Sequence, residues 1–171
     1  IRYNEKDKPI NLKKYSESVN KLSRKLKCKI IFEPGRSIIG DTGILLSKIQ
    51  YIKKGAKKDF IIIDAGMNDF MRPALYDAVH KIIPIRKSKS KLKGTIEFVG
   101  PICESTCKFG SYKNYQKISE NDFVAITNVG AYGSSLSSNY NSRPLIAELL
   151  VNKNKIKYIR KKQDLLKLIN S

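Results

Sequence analysis

The chain has 171 residues and a mass of 19.4 kDa, room for one domain with a core or one and a half small ones. Its 41% hydrophobic and 29% charged residues suit a globular protein; it has no run of about eighteen apolar residues and no apolar leader after Ile1-Arg2-Tyr3-Asn4-Glu5, so neither a membrane helix nor a secretory signal is expected. The net charge of +19 comes from 27 lysines and only 7 arginines, concentrated in residues 1–29, 81–117 and 153–171; arginine is the side chain that grips phosphate and base edges in two places at once, so this charge describes solvated lysine faces and not a nucleic-acid site.

Leu12, Tyr15, Val19, Leu22 and Leu26 recur at steps of three and four behind Pro9 and Asn11, which predicts a helix. Residues 29–32 are β-branched and apolar enough for a buried strand, ended by Glu33-Pro34-Gly35-Arg36. Helix, buried strand and polar loop together make an α/β unit. After Gly43 the character changes. Residues 44–53 and 59–64 read as strands around a lysine-rich turn at Gly55, and 72–82 as a short helix opened by Pro73. Residues 95–103 and 123–129 are further strands. Residues 144–151 and 155–160 flank Asn152-Lys153-Asn154 as a three-residue hairpin loop, and 163–169 close the chain as a short helix. From residue 44 onward the chain is strand-rich.

Five polar segments are poorly explained by packing. Glu33-Pro34-Gly35-Arg36 sits at the carboxyl end of the expected buried strand, where α/β barrels place ligands; glycine admits an anion to the backbone and Arg36 adds a charged fork. Asp64-Ala65-Gly66-Met67-Asn68-Asp69 runs into Arg72-Pro73-Ala74-Leu75-Tyr76, where Arg72 and Tyr76, four apart on one helical face, suit a carboxylate. Gly100-Pro101-Ile102-Cys103-Glu104-Ser105 sets a thiol beside a carboxylate on a loop. Gly130-Ala131-Tyr132-Gly133 holds a phenol between glycines. Ser137 to Pro144 (SSNYNSRP) is too polar and too poor in glycine for a linker.

The three cysteines, Cys28, Cys103 and Cys107, are an odd count without paired-finger spacing, so neither a disulfide scaffold nor a metal site is expected, and a reducing cytosol fits. Cys28 reads as a buried packing residue, and His80, the single histidine, as structural.

In this order the segments EPGR, DAGMND, RPALYDA, GPICES, GAYG and SSNYNSRP resemble the C-terminal half of the diaminopimelate decarboxylases, a fold-type III family of pyridoxal-phosphate enzymes that make lysine. The resemblance runs from the region of Ile1-Arg2-Tyr3 to Gln163-Asp164-Leu165-Leu166. It implies the alanine racemase-like architecture: α/β plus all-β, with residues 1–43 as the end of a cofactor-binding (β/α)8 barrel and residues 44–171 as a C-terminal β-barrel or sandwich domain. It also implies a cytoplasmic homodimer with shared active sites, acting on meso-diaminopimelate.

By the same resemblance, Glu33 stands beside the pyridine nitrogen of pyridoxal 5'-phosphate, Gly35 and Arg36 lie at its phosphate and substrate side, and Tyr132 reaches phosphate or substrate. Arg72 and Tyr76 bind the substrate's distal carboxylate. Cys103 and Glu104 enter from the other subunit, Cys103 handling the α-carbon proton and Glu104 pairing with the distal ammonium. Arg72 together with Glu104 favours diaminopimelate over ornithine-type substrates, because an arginine that finds no carboxylate would be buried unpaired. After Ser105 the chain reads Thr106-Cys107-Lys108 where the family often has Gly-Asp. No segment matches the family's cofactor-bearing lysine or its ring-stacking histidine, and the chain starts without Met; a C-terminal piece, inactive and poorly soluble by itself, is expected. The alternatives are another fold-type III basic amino acid decarboxylase, or a non-catalytic fragment serving as a dimer partner.

Overall fold

Leu45, Ser47 and Ile49 point inward along β1 (Ile44–Lys53) while Ile44, Leu46 and Gln50 face outward, the two-residue period of a half-buried strand. A computed structural model of the chain describes residues 8–170, and β1 lies at the centre of its main sheet. β2 (Asp59–Ile63), β3 (Ile82–Pro84), β4 (Thr95–Val99), β5 (Lys108–Lys113) and β6 (Phe123–Thr127) complete six strands in the order β3-β6-β1-β2-β4-β5. All pairings are antiparallel except β2 with β4. Ile49, Ile61, Ile63, Ile82, Ile96, Phe98, Val124 and Ile126 are sealed from solvent and pack as one core.

The sheet curls until its two edges meet. Tyr112 of β5 donates its hydroxyl to the carbonyl of His80 at 3.2 Å and accepts the Ile82 N–H at 2.8 Å, and the Tyr115 hydroxyl donates to the Ile82 carbonyl at 2.9 Å. Two phenols thus satisfy backbone groups on edge strand β3 that a flat sheet would leave to water. Phe98, Tyr112 and Tyr115 stack edge to face beneath this seam. The expected β-barrel or sandwich domain is present as a curled mixed sheet, with β3 and β5 as strands that periodicity does not reveal. β4 ends at Val99 and not at 103, because Gly100 turns the chain against Ala65 and Cys107.

Helix α1 (Leu12–Leu26) forms where expected, with the Asn11 side chain accepting the Lys14 N–H at 3.0 Å and Lys27 ending it in the left-handed conformation. Its apolar stripe is exposed: Leu12, Tyr15, Leu22 and Leu26 are all open to solvent. Residues 29–32 correct the sequence reading. They form no strand, and Ile31 is 75% exposed, because no described strand lies beside them to complete a ladder. Cys28 is likewise exposed rather than buried. Tyr15 packs edge-on against Phe32.

α2 (Arg36–Ile39) and a 3-10 turn over Gly40–Thr42 lead into β1. α3 (Arg72–Tyr76) is one turn and stops well before residue 82, since Asp77 adopts a left-handed backbone and caps it. β7 (Glu148–Asn152) and β8 (Lys155–Arg160) form a separate hairpin. Asn152 pairs with Lys155, so the connection is the two residues Lys153 and Asn154, one fewer than expected. α4 (Leu165–Ile169) follows, capped by Asp164. The start of the family resemblance at Ile1-Arg2-Tyr3 lies outside the described residues. No described helix is long and apolar enough to cross a membrane.

Candidate active site

Two glycine backbones cross at the entrance to the main sheet. The Gly130 N–H donates to the Gly40 carbonyl at 3.1 Å and the Val129 N–H to Gly43 at 3.0 Å. A Cβ on Gly130 would lie 1.9 Å from the Ile39 carbonyl oxygen, and one on Gly43 would lie 2.7 Å from the Gly130 backbone. Only residues without side chains allow this approach. It fastens the turn that bears Tyr132 to the segment directly after Glu33-Pro34-Gly35-Arg36.

Tyr132 is held at φ 62°, in the left-handed region, and is half exposed. Its ring lies 5.4 Å from the Arg72 guanidinium carbon, and the Tyr76 ring lies 6.0 Å from the same atom. Arg72 is buried at 7% exposure, with its charge facing two phenol rings, a cation–π setting with aromatic walls. Arg72 and Tyr76 are thus neighbours, as their four-residue spacing predicts, and Tyr132 meets the same guanidinium from another loop.

Beneath Arg72 lies His80, 1% exposed. His80 Nδ1 is 2.9 Å from the Thr127 carbonyl oxygen, the Arg72 Nε–H donates to His80 Nε2 at 3.3 Å, and the Phe70 ring stands edge-on at 4.6 Å. Burial holds the imidazole below its ordinary value, the Arg72 charge acting in the same direction and the Thr127 carbonyl against it.

The Asp64–Asp69 turn is a hydrogen-bonded cage. Asp64 Oδ1 accepts the Ser47 hydroxyl at 2.6 Å and the Lys48 N–H at 2.9 Å. Asp69 accepts from the Gly66 N–H at 2.7 Å and the Asn68 amide at 3.1 Å. Burial pushes the Asp69 carboxyl up, against these donors and Arg143. Arg143 closes the cage: it donates to Asn68 Oδ1 at 3.1 Å and to the Asp64 carbonyl at 2.8 Å, and pairs with Asp69 at 3.5 Å.

Cys103 and Glu104 are exposed on the loop between β4 and β5. Glu104 Oε1 accepts the Tyr140 hydroxyl at 2.5 Å, which raises the Tyr140 phenol above its ordinary value, the hydrogen bond first and the carboxylate charge second. Cys107 is buried, its Sγ accepting the Met67 N–H at 3.4 Å, so it packs under the loop while Cys103 faces out. Tyr140 and Arg143 were not singled out from the sequence by themselves. Their signal was the SSNYNSRP segment, whose polarity is spent on the Asp64–Asp69 cage and on Glu104. An open cleft of about 300 Å³ between the end of α3 and β5 contains none of the candidate site residues except by its contact with His80.

Glu33, Gly35 and Arg36 are exposed. Gly35 has a negative φ of −104°, and a Cβ there would meet nothing within 4 Å, so neither backbone geometry nor packing within the described residues requires glycine. A carboxylate, an arginine, an open glycine and a phenol on an adjoining turn match a protonated pyridine ring and a phosphate, and so fit pyridoxal phosphate.

Comparison with known proteins agrees. The family described as pyridoxal-dependent decarboxylase, C-terminal sheet domain, matches residues 13–130. Diaminopimelate decarboxylase of Aquifex aeolicus is 40% identical over 96% of this chain, and that of Zymomonas mobilis 41% over 95%. The chain spans 39% and 38% of those relatives' lengths. The crystal structure of Helicobacter pylori diaminopimelate decarboxylase complexed with L-lysine superposes with a TM-score of 0.86 at 41% identity, over 99% of this chain and 41% of that one. The M. jannaschii enzyme superposes at 0.90 with 34% identity, over 100% and 40%. With the family matched over more than half its residues, this chain belongs to the pyridoxal-dependent decarboxylases, whose C-terminal sheet domain it carries.

Proposed function

We propose that this chain is the C-terminal part of a diaminopimelate decarboxylase, which converts meso-2,6-diaminopimelate to L-lysine and CO2 in the last step of lysine biosynthesis. The observation that carries the reading is Arg72, a buried guanidinium facing the Tyr76 and Tyr132 rings at 6.0 and 5.4 Å. A guanidinium set between phenol rings suits a carboxylate, and the distal carboxylate of diaminopimelate is the one that an ornithine-type substrate lacks.

Residues 1–43 are then the end of the cofactor-binding barrel and 44–171 the β domain. The exposed apolar stripe of α1 and the apolar residues 29–32, which pair with no described strand, support this division, since both are suited to neighbours in a closed barrel. Pyridoxal phosphate, when bound, takes up the electrons that departing CO2 leaves at the α-carbon. Glu33 keeps the pyridine nitrogen protonated by placing a negative charge beside it. Gly35 and Arg36 hold the phosphate and the near end of the substrate, with Tyr132 closing over them. Arg72 and Tyr76 bind the distal carboxylate, while Glu104 takes the distal ammonium.

Cys103 Sγ delivers the proton that replaces CO2 on the α-carbon, and its exposure lets the thiolate recover a proton from solvent. Cys103 and Glu104 project from an exposed loop toward the site of a second subunit, making the active form a homodimer in the cytosol. The test is CO2 release by the complete decarboxylase that carries this chain. Diaminopimelate turned over far faster than L-ornithine or L-lysine is the expected result; preference for either of the latter would overturn the assignment of Arg72.

A further inference from the structure

His80 contributes no atom to the proposed chemistry, yet it is buried more completely than any other titratable side chain near the site. Its two ring nitrogens face partners of fixed character. The Thr127 carbonyl oxygen, 2.9 Å from Nδ1, can only accept, so Nδ1 carries the hydrogen. Arg72 Nε, 3.3 Å from Nε2, can only donate, so Nε2 presents its lone pair. The contacts thus select one neutral tautomer.

The rest of the fold holds the ring in place. Phe70 abuts it edge-on at 4.6 Å, the Tyr112 hydroxyl grips the His80 carbonyl, and the Thr127 N–H donates to the carbonyl of the next residue at 2.9 Å. Arg72 by contrast sits at the first position of a one-turn helix, where the long side chain has many rotamers to lose. Its backbone cannot aim it. The ring beneath it can.

We propose that His80 is a positioning residue for substrate selection: it accepts the Arg72 Nε–H and so fixes the plane of the guanidinium toward the distal carboxylate. This rests on the assignment of Arg72 to that carboxylate. It extends that assignment by making the recognition depend on a lone pair eight residues away, on the opposite side of the Asp77 reversal.

The test is equilibrium binding of L-lysine and of cadaverine to the pyridoxal-phosphate-loaded decarboxylase. The two ligands differ only in the distal carboxylate. His80→Asn keeps a polar group at the Nδ1 position but loses the acceptor for Arg72, whereas His80→Gln can present an amide oxygen where Nε2 stood. His80→Asn should weaken lysine about tenfold, the loss of one hydrogen bond to a charged group, and leave cadaverine unchanged. His80→Gln should recover most of the lysine affinity. Equal loss for both ligands, no loss for either, or a His80→Gln variant no better than His80→Asn would each overturn the proposal.

Arg72→Gln separates the two levels. If that variant binds lysine normally, the carboxylate assignment itself fails; if it loses lysine while His80→Asn does not, only the positioning role fails. Should His80→Asn not fold, the ring nitrogens of His80 in the unmutated, lysine-bound enzyme decide the matter by 15N NMR. A hydrogen on Nδ1 and a bare Nε2 are expected, and a hydrogen on Nε2 would sink the idea.

Discussion

The Tyr140 hydroxyl donates to Glu104 Oε1 at 2.5 Å across 36 residues of sequence. Tyr140 is carried by a short turn whose next two residues, Asn141 and Ser142, both have positive φ, and Arg143 then anchors that turn to Asn68, Asp69 and the Asp64 carbonyl. The carboxylate proposed to meet the distal ammonium is therefore aimed from the β domain's own cage. Tyr140 occupies one oxygen of this exposed carboxylate. Tyr140→Phe is expected to raise KM for diaminopimelate about three- to tenfold with a smaller change in kcat, since an exposed hydrogen bond to a charged group is lost and no reacting atom is touched. Steady-state kinetics on the complete enzyme check this; an unchanged KM would show that Glu104 needs no such support.

The crossing of Gly130 over the Ile39–Gly43 segment predicts a second, purely steric sensitivity. In Gly130→Ala the new methyl would have to displace the Ile39 carbonyl and the Thr42 hydroxyl, neither of which is the end of a flexible chain. A loss of about 2–4 kcal/mol in unfolding free energy is expected, as for other overpacked sites. Because the same contact joins the Tyr132 turn to the chain leaving Arg36, affinity for pyridoxal phosphate should fall with it. Urea unfolding and a cofactor titration measure the two effects, and a variant as stable as the parent would contradict the packing.

Much of the β domain was legible because its strands bury one face. Residues 44–53 show this directly, whereas 155–160 stay largely exposed and were marked by the turn after residue 152 and not by burial, and Asn11 marks the start of α1 through its capping oxygen. β3 was missed because it is three residues long and ends on a proline, and β5 because Gly110 interrupts a strand that alternates Phe109 with polar neighbours. The reading failed most clearly at residues 29–32, which have strand chemistry but no described partner; backbone pairing is a property of two segments, and local composition reports one. In the site, Arg72 and Tyr76 were visible from helical spacing. The roles of His80, Tyr140 and Arg143 were not, since each depends on a contact between residues 8 to 79 positions apart.

His80 also makes stability depend on pH. Its folded value lies below the ordinary 6.5, chiefly through burial, with the Arg72 charge adding to the shift and the Thr127 carbonyl opposing it. Around the ring, Arg72 brings a positive charge and Phe70 an apolar edge, the Tyr112 hydroxyl bonds the backbone carbonyl, and Asp77, Glu97 and Lys108 line the cleft that His80 borders. A neutral ring in the fold and a protonatable one in the unfolded chain mean that the unfolded state takes up more protons below about 6.5. The contribution is therefore full above that pH and is lost as pH falls through the folded value. Melting temperature should decline from pH 7 to pH 5, and His80→Gln should show a shallower decline over the same interval. Identical slopes would mean that His80 does not titrate in the unfolded-to-folded comparison.

The proposed homodimer with shared sites leads to a mixing experiment with a fixed arithmetic. Arg72 belongs to the site of its own subunit in this reading, and Cys103 to the site of the other. Cys103→Ala and Arg72→Gln enzymes are each expected to be nearly inactive as homodimers. Dissociated and reassociated in equal amounts, they should form half heterodimers, in which one site carries both substitutions and the other carries none. Activity of about a quarter of the unmutated enzyme should return. If Cys103 served its own subunit's site, every heterodimer site would carry one defect and mixing would restore nothing, so the recovered fraction reads directly which subunit supplies the proton.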